Sequence, residues 1–413
     1  MRHESFCYWV SCWYSRDMHN IFWALLILFA FAALLRMDWA YYLVYVVGGA
    51  WVFSHLWMRH TLGRLAITRV MPGRAFTNER VTVQLKLDNR GFLPLPWVQL
   101  QEAVPLDLKD QHDYRLVISL GARSLTVHEY RLLCKHRGYF TVGPLRLQSG
   151  DLFGFVNARW EEMAASTLIV YPEVVPLERM GLPSRSPFGG LRSPQRLLED
   201  PARMAGVRGY RSGDTLRSVH WKATAHTDTL LVKKLDPSKA VPVTIVLDLN
   251  RNVYPIRSAI GSSEWAIVVA ASIAAHMIGQ RQPVGLHTNG QDPLADAMAL
   301  PLTQRNGQEH LMTLLSLLAR IQMHPREEEF ADWLPAQVSD TPWGSMLLVV
   351  TPHLDERSLW ALHAAYRRGT NVLVLVCAQQ ADLRVLQARG ERLGVDIRSV
   401  IWESDLQALA DSA

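Results

Sequence analysis

At 413 residues, 49% apolar and 20% charged, the chain is too long for one ordinary domain and apolar enough for two or three packed cores. The net charge of +5 is too small to coat the chain for nucleic acid, and it is concentrated: between Gly181 and Asp236 ten Lys and Arg stand against five Asp and Glu, which is the whole excess. Four cysteines (Cys7, Cys12, Cys134 and Cys377) form no Cys-x-x-Cys pair and no disulfide framework, which fits a reducing compartment.

Two apolar runs come first. Ile21–Leu35 and Trp39–Met58 contain no Asp, Glu, Lys or Arg. The second is long enough to cross ~30 Å of hydrocarbon. Asp38 at the centre of one long helix would sit in lipid, so Arg36-Met37-Asp38 reads as a tight turn between two helices. The pattern predicts a transmembrane hairpin over about residues 20–36 and 39–58, with residues 1–16 as a lead-in. Trp39, Tyr41 and Tyr42 flank the turn as an interfacial belt does. Arg59, Arg64, Arg69 and Arg74 then follow with no acid before Glu79, so the positive-inside rule puts the rest of the chain in the cytoplasm. The expected location is the inner (cytoplasmic) membrane, multi-pass, with the lipid bilayer as one partner.

From Leu65 to Val175 the period is two. Val81-Thr-Val-Gln-Leu-Lys-Leu alternates and ends at the turn signal Asp88-Asn89-Arg90-Gly91. Gly and Pro punctuate the stretch at short intervals, which predicts a β-sandwich-like domain of about seven strands over 61–180. No catalytic spacing occurs in it.

Residues 181–240 read as a basic linker. Its densest part runs Tyr210-Arg211-Ser-Gly213-Asp214-Thr-Leu-Arg217-Ser-Val-His220-Trp221-Lys222. Asp214 is positioned to cap a short helix carrying Leu216, Val219 and Ala223 on its inner face, with Arg217 and Trp221 four apart on another. One reading is a docking or anion-binding surface. The other is a clasp that fixes the linker to the next domain. In that densest part only Tyr210 and Trp221 offer stacking surfaces, so no nucleic acid is expected.

From Val241 to Ala413 strands and helices alternate: strands near 243–248, 283–288, 346–351, 371–377 and 395–401, and helices near 264–278, 309–320, 355–368 and 381–393. Repeated βα units predict a parallel, doubly wound Rossmann-like sheet. Ligands in such sheets bind beyond the carboxyl ends of the strands. Those ends carry Asp248, Asn250 and Asn252, then Thr288, then Thr351 with Asp355 beyond. Oxygen donors gathered there would suit a hard cation such as Mg²⁺. The plainer reading is that they cap the sheet edge and the following helix.

The order of hairpin, β region, Tyr210–Lys222 segment and α/β domain resembles the bacterial domain of unknown function 58 family. The stretch from Arg137 to Gly154, ending Gln148-Ser-Gly-Asp151-Leu-Phe-Gly154, looks like a signature of that family, and His226 departs from its usual Arg. The last domain is similar to von Willebrand A domains. Their metal site uses Asp-x-Ser-x-Ser, a Thr and an Asp; Asp248 matches the first position, Asn250 and Asn252 replace the serines, Thr288 stands for the threonine and Asp355 loosely for the aspartate. The resemblance implies a membrane-anchored adaptor, not an enzyme, that works with a MoxR-type AAA+ ATPase in the assembly or maturation of other complexes or of the cell envelope. The absence of Gly-x-Ser-x-Gly and His-Glu-x-x-His agrees with a non-enzyme. The alternative is a metal-dependent enzyme or binding protein acting on an anionic substrate at Asp248 and the basic segment.

Overall fold

The structure is a computed structural model that describes residues 16–35, 38–110, 114–163, 165–177, 204–210, 219–227, 229–235, 242–339, 341 and 344–411. The chain divides into two units, Met1–Pro172 and Glu173–Ala413.

The first unit opens with helices α1 (Arg16–Leu35) and α2 (Asp38–Leu62). They touch edge-on through Phe29 and Tyr41, ring centroids 5.9 Å apart. Most of their large apolar side chains are exposed, among them Leu26, Phe31, Leu34, Tyr42, Val46 and Phe53. Helix α2 runs past the predicted end at Met58 because its last two turns are packed on protein. Met58 is buried among Leu85, Leu87, Val98 and Leu147. Trp57 Nε1 donates to the Pro94 carbonyl (2.9 Å), and Ser54 Oγ donates to Asp151 Oδ2 (2.5 Å).

Ten strands follow: β1 (Leu65–Val70), β2 (Arg74–Phe76), β3 (Arg80–Asn89), β4 (Leu95–Glu102), β5 (Arg115–Leu120), β6 (Ser124–Leu133), β7 (Gly138–Val142), β8 (Leu145–Gly150), β9 (Asn157–Met163) and β10 (Ser166–Tyr171). They form sheets of order β1-β3-β6, β2-β10-β7 and β5-β4-β8-β9. The strands beyond the expected seven include short pieces between the Gly and Pro breaks, such as the three-residue β2. Strand β3 shows why the region is layered. Val81, Val83, Leu85 and Leu87 alternate inward; the first two join a core with Leu132 and Leu168, the second two a core with Leu100 and Leu147.

An ion pair lies inside this unit. The Arg69 guanidinium meets the Glu102 carboxylate with side chains 0% and 2% exposed, and the Tyr130 hydroxyl donates to the same carboxylate. Arg69 Nη1 also donates to the Val142 carbonyl (3.2 Å) and Ser166 Oγ (2.9 Å). Burial, then the neighbouring Glu102 charge, raises the Tyr130 phenol well above its ordinary value and keeps it a donor.

The second unit holds β11 (Met204–Gly209), α3 (Trp221–Thr227), β12 (Leu231–Leu235), β13 (Val243–Leu247), α4 (Ala259–Gly279), β14 (Val284–Thr288), β15 (Gln291–Asp292), β16 (Ala297–Met298), β17 (Leu302–Arg305), α5 (Gln308–Arg320), α6 (Phe330–Ser339), β18 (Met346–Thr351), α7 (Glu356–Arg367), β19 (Asn371–Val376), α8 (Leu383–Leu393), β20 (Val395–Ser399) and α9 (Glu403–Asp411). The main sheet has order β17-β14-β13-β18-β19-β20. It is mixed α/β and mostly parallel. Val246, Val349 and Val374 share a core with α6, α7 and α8. Ile245, Leu247 and Leu348 alternate to the other face, and α4 contacts β13, β14 and β18.

The expected all-parallel sheet has one antiparallel edge strand, β17, beside β14. After β14 the chain returns through the short β15–β16 pair and not through a crossover helix, and so short a connection can only bring it back antiparallel. Gly285 permits the approach: a Cβ there would meet the Leu302 carbonyl oxygen at 2.9 Å. Among the described residues α4 is the one helix that meets the length and hydropathy of a membrane span, and 56% of its apolar window is buried, as in a core helix.

Candidate functional site

Three adjacent parallel strands end together and build the rim. Leu247 on β13 is in register with Thr288 on β14 and with Val350 on β18, so the next residues, Asp248, Asn289 and Thr351, stand side by side. Counted by order in the chain the sheet reads 3-2-1-4-5-6, and the junction of β13 and β18 is its topological switch point, where ligands of such sheets bind.

Asp248 is wholly buried, and neutral donors surround its carboxylate. Oδ1 accepts from Asn289 Nδ2 (2.7 Å) and the Asn250 amide (3.1 Å), and Oδ2 accepts from Thr351 Oγ1 (3.1 Å). The Tyr254 hydroxyl donates to the Asp248 carbonyl (2.7 Å). Burial raises the Asp248 carboxyl above its ordinary value, against the lowering effect of the Asn289, Asn250 and Thr351 hydrogen bonds. Burial also raises the Tyr254 phenol and the neighbouring Cys377 thiol.

The other predicted donors are turned elsewhere. Asn250 Oδ1 accepts from the Arg326 amide (3.1 Å) while its Nδ2 donates to the Arg326 carbonyl (3.2 Å); Asn252 Nδ2 donates to the same carbonyl (2.9 Å). Thr288 Oγ1 accepts from the Gly290 amide (3.1 Å). Asp355 caps α7, its Oδ1 accepting from the Ser358 amide (2.8 Å). The set therefore presents one carboxylate with both oxygens engaged, which does not fit the six oxygen ligands of Mg²⁺. Among the described residues no group of three His, Cys, Asp or Glu gathers to hold a metal.

Sequence reasoning missed what closes the rim. The segment between α5 and α6 crosses it: Asn250 bridges to His324, Gln291 bridges to Gln322, and Arg326 Nε donates to the Asn289 carbonyl (2.8 Å). Nothing local marks Arg326 for this role. Asn289 and Thr351 are legible as the residues at neighbouring strand ends.

The basic segment is partly described. Arg211, Gly213, Asp214 and Arg217 lie outside the described residues. Strands β11 and β12 pair antiparallel, and Val219 bridges to Val232, so helix α3 begins at Trp221 and excludes Val219, contrary to the predicted inner face; the predicted cap at Asp214 lies outside the described residues. The pairing of Val219 with a strand thirteen residues on outweighs its local helical spacing. The His220 amide donates to the Leu231 carbonyl (2.8 Å), and His220 Nδ1 accepts from the Ala223 amide (3.0 Å). Tyr210, Trp221 (65%) and Lys222 are exposed.

The β region has low-similarity structural relatives: a chain of the human complex of zinc 2-glycoprotein with prolactin inducible protein (12% identity, TM-score 0.22, 26% of this chain and 92% of that one). The CARDB domain of a Pyrococcus furiosus protein is similar at 14% identity and TM-score 0.20, over 26% of this chain and 91% of that one. In sequence, the uncharacterized protein YeaD of Bacillus subtilis is 23% identical over 220 residues, 52% of this chain; the alignment spans about half (53%) of that relative's length. Residues 206–387, from β11 into α8, match the family model described as "Protein of unknown function DUF58".

Proposed function

We propose that the protein is a membrane-anchored adaptor whose soluble units lie in the cytoplasm and recognise a protein partner. The observation that carries the reading is the helix pair. Helices of 20 and 25 residues reach about 30 and 37 Å. Their apolar side chains stay uncovered within the unit, although the last turns of α2 are packed as tightly as any core. Water would penalise so large an apolar surface, and a bilayer removes the penalty. The four arginines between Arg59 and Arg74 support a cytoplasmic exit.

The α/β unit supports the adaptor half of the reading. Its 3-2-1-4-5-6 sheet with an antiparallel third strand supports the von Willebrand A-like reading, a fold suited to recognition at the carboxyl rim. The Asp248 network is saturated by neutral hydrogen bonds and so is built for rigidity. The family resemblance supplies the partner: a MoxR-type AAA+ ATPase acting on other complexes or on the envelope.

Two measurements test this. After alkaline extraction of membranes the full-length chain should stay in the pellet; release to the supernatant overturns the anchor. Affinity purification from mildly solubilised membranes should then recover an AAA+ ATPase, and a Trp221→Ala, Lys222→Ala variant should recover several-fold less. A pellet-bound chain that brings down no ATPase overturns the partner and leaves the anchor standing.

A further inference from the structure

The loop Asp151–Val156, between β8 and β9, projects an apolar tip that the fold does not cover. Leu152 is 75% and Phe153 64% exposed, and the Phe153 and Phe155 rings stack with centroids 5.8 Å apart. The base of the loop is rigid. The Asp151 amide donates to the Val156 carbonyl (3.2 Å), and Asp151 Oδ1 accepts from the Val156 amide (2.8 Å). A side chain at Gly150 would collide with the Val156 carbonyl at 2.7 Å and with Trp97 at 2.8 Å, so the glycine lets the two arms close. Gly154 turns the tip in the left-handed region, φ 79°.

The same Asp151 ties this loop to α2. Its Oδ2 accepts from Ser54 Oγ, and both residues are buried. Ser54 lies one turn before Met58, where the helix passes from exposed apolar surface to protein core; Val52, Phe53 and Leu56 around it are exposed. The loop is thus held at the level where α2 leaves its uncovered stretch. Two phenyl rings and a leucine stand on that base.

We propose that Leu152, Phe153 and Phe155 form a third membrane contact, dipping into the lipid interface beside α2 and fixing the height and tilt of the β unit on the bilayer. The inference rests on the membrane reading of the helix pair. Its physical basis is that of other interfacial apolar side chains, which bury about 5–10 Å into the boundary between headgroups and acyl chains. It gives the Gly150-Asp151-Leu-Phe-Gly154 stretch a division of labour: Gly150 and Asp151 build the base, Gly154 the turn, and Leu152 and Phe153 the contact.

The test uses the full-length chain in lipid nanodiscs, with Cys7 and Cys12 changed to Ser and the buried Cys134 and Cys377 retained. Nitroxide labels at Val46→Cys, Phe153→Cys and Val385→Cys are compared for collision with oxygen, which partitions into lipid, and with a water-soluble nickel chelate. The expected order of the oxygen-to-nickel ratio is Val46→Cys highest, Phe153→Cys intermediate and Val385→Cys lowest. A lipid value at Val46→Cys with a water value at Phe153→Cys overturns the loop contact alone. A water value at Val46→Cys overturns the anchor and the contact together. Leu152→Cys repeats the measurement on a second exposed position of the tip, and agreement with Val385→Cys there also overturns the contact.

Discussion

The two units bury charge in opposite ways. In the β unit, Arg69 and Glu102 form a buried ion pair, and Tyr130, Ser166 and the Val142 carbonyl hydrogen-bond to it. In the α/β unit, amide, hydroxyl and backbone donors bond to Asp248, and among the described residues no cation does. A buried pair is sensitive to the loss of one member, because the other is left charged in a dry site. A carboxylate held by neutral dipoles tolerates neutralisation and is sensitive to loss of its acceptor atoms. The pair sits in the middle of a β unit, and the lone carboxylate sits at a sheet rim where three strands end together.

The largest expected effect follows from the pair. Glu102→Ala leaves the Arg69 guanidinium buried without its carboxylate and should destabilise the β unit by about 3–5 kcal/mol. The double variant Arg69→Met, Glu102→Leu should cost much less than either single change, because it removes both charges. Hydrogen exchange of peptides from Leu65–Tyr171 reads this unit without the other. A single-variant cost below about 1 kcal/mol would mean that water reaches the pair.

Next comes the rim. Asp248→Ala strands Asn289 Nδ2 and the Asn250 amide in a buried site and should cost about 2–4 kcal/mol, read by exchange of the β13, β14 and β18 amides. An effect this large without any change in partner recovery would separate rigidity of the rim from recognition.

How far this rim could be read from sequence depends on locality. Asp248 stands out as an acid ending an apolar run, and the buried strands Val243–Leu247, Met346–Thr351 and Asn371–Val376 are legible because both of their faces are apolar. The alternation of β3 is equally plain. What closes the rim is not legible. Arg326 acts through its backbone amide and carbonyl and its Nε, from a connection that shows no period, and helix α6 hides behind Pro335, a residue that reads as a breaker. Strand β17 is four residues of mixed polarity at an edge. The place of Val219 is not legible locally, because its partner, Val232, lies thirteen residues on.

A pH series sharpens the comparison with a smaller effect. Burial holds the Asp248 carboxyl above the ordinary value of 3.8 in the folded chain, so between that value and the folded one the native state binds more protons than the unfolded chain. The stability that this residue contributes therefore falls as pH rises through that window and is lowest above it. Asp248→Asn keeps an acceptor for Asn289 and the Asn250 amide and cannot ionise, and Thr351 Oγ1 retains its bond to the His353 carbonyl. The variant should gain on the wild type with rising pH in urea titrations. A constant difference across the series would mean that the carboxyl is not perturbed.

The smallest effect decides the role of Asp355. As the cap of α7 it holds one amide, Ser358 N, and Asp355→Ala should lower stability by about 1 kcal/mol, with or without Mg²⁺. As a metal ligand beside Asp248 it would behave differently. Millimolar Mg²⁺ would then raise the melting temperature of the wild type and leave that of Asp355→Ala unmoved, because a ligand that binds only the folded state stabilises it by mass action. The capping geometry predicts parallel curves for the two proteins, offset by the same small amount at every Mg²⁺ concentration. Asp355→Asn distinguishes the two further: an asparagine still caps the helix through its side-chain oxygen and should restore most of the loss, whereas a metal site would lose a charge and stay impaired.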